Sequence, residues 1–139
     1  MAEKLKVDRN FIPCAVSGDD ELFLNGIFVF NITRMIEYIR NHPHEITPGE
    51  VAVKDVTQYS SIEDSRLESI KLGEPVILAE IVPGKYNLID GHHRMEKARK
   101  LGMTNLPAYR LTVRQHMKFL TEKKSYDAYV EYWNDKLRD

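Results

Sequence analysis

The run Tyr86-Asn87-Leu88-Ile89-Asp90-Gly91-His92-His93-Arg94-Met95-Glu96-Lys97-Ala98 holds most of the chain's candidates for chemistry. An apolar strand passes through one glycine directly into a helix, a junction that aims unpaired backbone N–H groups and the positive end of the helix dipole at a single point. Anions bind readily at such points. Gly91 lets a phosphate approach the backbone closely, while His93 and Arg94 add side-chain donors, and a guanidinium suits bidentate phosphate contacts. Asp90, at the strand end, is placed to cap the helix or to hold a hydroxyl or a Mg²⁺ ion beside the phosphate. His92 is a candidate proton shuttle at neutral pH. The plainer reading of the same residues is a tight left-handed turn capped by Asp90, followed by two exposed first-turn histidines.

Other constellations are weaker. Adjacent helical residues point about 100° apart, so His92 and His93 cannot easily share one zinc ion. His42-x-His44 sits in a Pro-interrupted stretch that reads as plain loop. No Gly-x-Ser-x-Gly, Walker or Gly-x-Gly-x-x-Gly motif is present, which leaves the common hydrolase and dinucleotide-binding hypotheses without a foothold. Cys14 is the one cysteine, so an intramolecular disulfide or a cysteine-based zinc site is excluded and a reducing compartment is expected.

The 139 residues suit a single domain spanning 1–139, with 42% apolar and 29% charged residues in the range of a globular chain. The charged start and the lack of any long apolar run predict a soluble cytoplasmic protein that does not engage a membrane. The net charge of -1 hides a polarity: residues 91–139 hold 11 Lys or Arg against 6 acidic residues, and the remainder holds 9 against 15. Arg94, Lys97, Arg99 and Lys100 follow the glycine closely, which suits a polyphosphate or a nucleic-acid backbone, or simply a solvated basic helix face.

The elements that must position these residues form an α+β fold with a mixed sheet. Asn25-Gly26 between two apolar runs predicts a β-hairpin over about 21–30 with a type I′ turn. Ile32, Met35, Ile36 and Ile39 keep helical spacing, with Asn31 as cap and Pro43 as stop, predicting a helix over about 32–41. A loop at 42–49 follows, then a short strand from Val51, a polar loop at 57–62 and a helix over about 63–72. Strands at 75–82 and 86–90 pair antiparallel through a Pro83-Gly84 type II turn. A helix over about 92–101 ends at Gly102, a strand runs over about 107–113, and one or two helices close the chain with Tyr129, Tyr132 and Trp133 in the core.

The ordered set Pro75-Val76-Ile77-Leu78, Tyr86 through Arg94, Ala98, Leu101-Gly102 and Leu106-Pro107-Ala108-Tyr109 resembles the ParB and sulfiredoxin superfamily over about residues 50–113. In that family a strand leads into a Gly-x-x-Arg helix start that binds nucleotide phosphates. Sulfiredoxins carry Gly-Cys-His-Arg with a catalytic cysteine, and His92 stands at that position here. ParB proteins carry Gly-Glu-Arg-Arg, bind CTP and continue into a helix-turn-helix region, for which the 26 residues after Val113 are too few. The free serine kinases carry Asp-Gly-His-(Thr or His)-Arg, the nearest local resemblance.

Their phosphotransfer uses an acidic residue in the loop after the first strand of the unit, which points to Glu63 or Asp64. Read on their own, those two acids are a helix first turn, with Ser61 as N-cap and Asp64 in capping-box spacing. Arg66 on the same helix is a further candidate phosphate contact. The resemblance implies a nucleotide (ATP, ADP or CTP) with Mg²⁺ held through Asp90, and phosphoryl transfer or hydrolysis using His92, Asp90 and Glu63. Two alternatives stay open: a ParB-like DNA-binding protein or nuclease, and a non-catalytic partner-binding module that flanks the motif with residues 1–45 and 116–139.

Overall fold

The computed structural model describes residues 3–57 and 64–138, so Glu63 and Ser61 lie outside the described residues. The element order is β1 (Leu22–Asn25), β2 (Phe28–Asn31), α1 (Ile32–Asn41), β3 (Gly49–Ala52), α2 (Asp64–Leu67), β4 (Val76–Val82), β5 (Lys85–Asp90), α3 (His92–Lys100), β6 (Asn105–Leu111), α4 (Val113–His116) and α5 (Lys123–Leu137). Short 3-10 turns follow β3 and α4. The fold is α+β. Strands β3, β6, β4 and β5 lie side by side in that order, with β4 and β6 parallel and the other two pairs antiparallel. The β1–β2 hairpin is a separate two-stranded sheet.

The mixed sheet is covered on both faces, which explains the nearly continuous apolar run of β4. Side chains alternate along a strand, so Val76 and Leu78 join Leu88, Met95, Ala98 and Leu106 beneath α3. Ile77, Ala79 and Ile81 face the other way, into a larger cluster built from Phe30, Ile32, Met35, Leu120, Tyr129 and Trp133. The N-terminal hairpin and α1 therefore pack on the face opposite α3, together with α5. Tyr129 and Trp133 are core residues, as their spacing predicts. No helix among the described residues is long and apolar enough to cross a membrane.

Several boundaries depart from the sequence expectation. The hairpin loop is Gly26-Ile27, one residue later than the Asn25-Gly26 register, because Asn25 pairs with Phe28 inside the ladder. Gly26 alone has a positive φ, 64°. That pattern fits a type II′ turn, which asks for glycine only at its first central position and spares β-branched Ile27 a left-handed conformation. Helix α2 stops at Leu67 rather than near residue 72. There the Ser69 hydroxyl donates to the Arg66 carbonyl, and the following N–H groups bond three residues back, the tightening that ends a helix. By contrast the Pro83-Gly84 turn has the expected form, with Gly84 at φ 76°. Gly102 sits at φ 70° just beyond α3, where its N–H bonds to Arg99 and that of Met103 to Ala98, a Schellman closure.

Candidate functional site

Gly91 is the N-cap of α3, at φ 99° and ψ 26°. Only glycine reaches that left-handed conformation without strain, and the position is also closed sterically. A Cβ there would lie 2.5 Å from Val76 Cγ1 and 3.0 Å from Arg94 Nη2. As a glycine, the N-cap has no side chain to cap the first turn of α3. The N-cap position expected of Asp90 belongs to Gly91. The Asp90 carboxylate instead accepts from Arg94 Nη2 at 3.0 Å, one helical turn on, where the guanidinium competes successfully for it. Arg94 Nη1 also donates to the Glu74 carbonyl at 3.4 Å. The Asp90–Arg94 pair is largely sheltered, each side chain being 18% exposed.

The helix start opens onto a cleft of about 380 Å³. Ile89, Asp90, Gly91, His92, His93 and Arg94 line it. The rest of the lining comes from residues that sequence reasoning did not single out: Glu21, Leu22, Phe23 and Ile32 of the N-terminal block. Two hydrogen bonds hold that block in place. The Ile32 N–H donates to the Glu21 carbonyl at 2.8 Å, and the Glu21 N–H donates to Thr33 Oγ1 at 2.8 Å. Phe23 pairs across the hairpin with fully buried Phe30, and its ring lies nearly parallel to that of His92, 14° between planes and 5.7 Å between centroids.

Two groups in the cleft are perturbed. Burial pushes His92 below its ordinary value, His93 acts in the same sense, and Asp90 and the Leu88 backbone oppose it. That shift favours the neutral form of His92, which can accept a proton. Glu21 is exposed as a whole residue, yet its carboxyl faces the cleft, where desolvation first and then the charge of Asp90 and a hydrogen bond with it raise its pKa. Arg94 opposes that rise.

The remaining candidates disperse. Arg66 is exposed on α2 and is not among the residues lining the cleft. Asp64 opens α2, and its side chain lies outside the described residues, as does Glu63. The basic run of α3 finds partners within the fold: Lys97 Nζ donates to the Ile70 carbonyl at 2.6 Å, and Arg99 and Lys100 flank buried Glu96. Among the described residues no three His, Cys, Asp or Glu side chains gather as metal ligands, and His92 and His93 diverge between half-buried and exposed positions. A scan against protein-family models returns no match for this chain, and no curated protein matches it significantly.

Proposed function

We propose that the chain is a nucleotide-binding protein of the ParB and sulfiredoxin type, which transfers or hydrolyses a phosphoryl group at the Asp90–Arg94 junction. The observation that carries the reading is Gly91, whose left-handed backbone and missing side chain bring the start of α3 to a cleft of about 380 Å³. Phosphate oxygens suit the free N–H groups of that turn and the dipole behind them. His93, exposed at the junction, adds a donor, and Arg94 adds charge and donors. A guanidinium has five N–H donors, so its contacts with Asp90 and Glu74 leave others for a phosphate.

In this reading catalysis is mainly positioning and charge stabilisation. Neutral His92 takes the proton of the attacking oxygen. Mg²⁺ is commonly held by one or two carboxylates together with substrate phosphates, and Asp90 with Glu21 is the pair beside the helix start. When bound, the ion would neutralise phosphate charge. A nucleic-acid backbone fits less well, because Arg94, Lys97, Arg99 and Lys100 are each engaged within the fold rather than displayed as a stripe.

Titration calorimetry of ATP, ADP, CTP and GTP with Mg²⁺ tests the reading. Wild type binds at least one nucleotide, and Arg94→Ala weakens it by about tenfold or more, the worth of a charged hydrogen bond. Absence of binding to all four sinks the proposal.

A further inference from the structure

The lining of the cleft is of two kinds. The ionic lining comes from Glu21, Asp90 and Arg94; the aromatic part comes from Phe23 of the N-terminal hairpin. A phosphate needs only the first. An exposed aromatic face in an open cleft gains free energy when a flat, weakly hydrated part of a ligand covers it.

Phe23 is oriented for this. Its ring is 14° from coplanar with the His92 ring, so two flat faces share one orientation beside the helix start. A planar heterocycle laid on Phe23 extends this stack. Phe23 is fixed on a scaffold rather than on a free loop, since its backbone pairs with Phe30, a residue with no exposed surface.

We propose that Phe23 forms a nucleobase subsite that the N-terminal hairpin adds to the phosphate site. This rests on the nucleotide reading above and goes beyond it, assigning the base to a segment outside the region of family resemblance. Because the Phe23 ring carries no donor or acceptor, stacking on it selects for a planar ring rather than for one base. Purines, with the larger stacking face, bind somewhat better than pyrimidines.

The test compares ADP with pyrophosphate, both with Mg²⁺, by calorimetry on wild type, Phe23→Ala, Phe23→Leu and Phe23→Trp. Buried Trp133 provides a fluorescence check that the alanine and leucine variants are folded. Wild type binds ADP about tenfold or more tighter than pyrophosphate, in line with base stacking on one aromatic ring. Phe23→Ala and Phe23→Leu lose that preference with pyrophosphate affinity unchanged, whereas Phe23→Trp keeps it. Leucine preserves the apolar packing without the ring, so it decides the matter if alanine unfolds the hairpin. Equal affinity of wild type for ADP and pyrophosphate overturns the subsite, as does an ADP preference that survives in Phe23→Leu. In both cases bound pyrophosphate leaves the phosphate site standing. Binding of neither ligand removes the phosphate reading, and the subsite with it.

Discussion

At the scale of single residues, Gly91 and Gly102 flank the same helix and both have positive φ, yet their surroundings differ. A Cβ at Gly102 meets nothing within 4 Å, so Gly102→Ala carries only the left-handed backbone penalty, about 1–2 kcal/mol. A Cβ at Gly91 carries that penalty and also collides with Val76, which is fully buried in β4 and cannot retreat. Overpacking adds a further cost of about 1–3 kcal/mol, so Gly91→Ala should lose about 2–5 kcal/mol in urea unfolding and clearly exceed Gly102→Ala. Equal losses at the two positions would show that the floor beneath Gly91 yields. The strand-glycine-helix run is legible in the sequence because its signals are local: apolar residues to Ile89, one glycine, then Met95 and Ala98 on the buried side of a turn-rich stretch. The ion pair of Asp90 with Arg94 was not legible, since the same aspartate is equally suited to capping, and the choice depends on the guanidinium reaching back one turn.

At the scale of elements, the aromatic part of the cleft lining depends on how the hairpin joins α1, and Asn31 makes that joint. Its Oδ1 accepts from the Arg34 N–H at 3.1 Å as the helix cap, while Nδ2 donates to the Ala15 carbonyl at 3.0 Å and to Asp20 Oδ2 at 2.9 Å. The residue has no exposed surface. An ordinary cap is worth about 1 kcal/mol. Asn31→Ala also removes the donor to the Ala15 carbonyl and one of the donors to Asp20, which keeps the Ser17 N–H and Arg34. The loss should therefore reach about 1.5–3 kcal/mol in urea unfolding, and nucleotide affinity should fall with it as the Glu21–Phe23 segment loosens. A loss no larger than that of a simple cap, with affinity intact, would mean the hairpin holds its place without this joint. The hairpin and α1 themselves were readable from turn chemistry and 3.6-residue spacing. That they bring Glu21 and Phe23 to the helix start was not, because the partners lie some 70 residues further along the chain and no local pattern encodes such a pairing. Alternation offered a partial signal: Phe23 is partly buried between exposed Leu22 and Leu24, so one face of β1 had to lie against something.

At the scale of the whole molecule, His116 joins the layers. Its Nε2 donates to the Glu80 carbonyl of β4 at 2.7 Å, and its ring meets Phe30 of β2 edge-on at 5.3 Å and Tyr129 of α5 at 5.6 Å. Nδ1 is buried and has no hydrogen-bond partner among the described residues. A carbonyl can only accept, so the proton of the neutral ring sits on Nε2, and adding a second places an unpaired N–H and a full charge among aromatic rings. Burial accordingly pushes His116 from 6.5 down to about 4, with the Glu80 carbonyl opposing. The unfolded chain takes up this proton at higher pH than the native one, so its contribution is fully present above pH 6.5 and is lost as pH falls toward 4. By linkage the loss approaches about 3 kcal/mol over that window. Carboxylates titrate in the same range, so the decisive quantity is the difference from a variant. His116→Gln keeps an N–H for Glu80 but cannot take up a proton. Its urea midpoint, lower than wild type at pH 7 through lost ring packing, should fall less steeply than wild type as pH drops to about 4.5, and parallel slopes would mean that water reaches Nδ1 and solvates the charge. The layers joined at His116 also carry the hairpin and sheet that face each other across the cleft, so acid should weaken nucleotide binding together with stability, and less so in the variant.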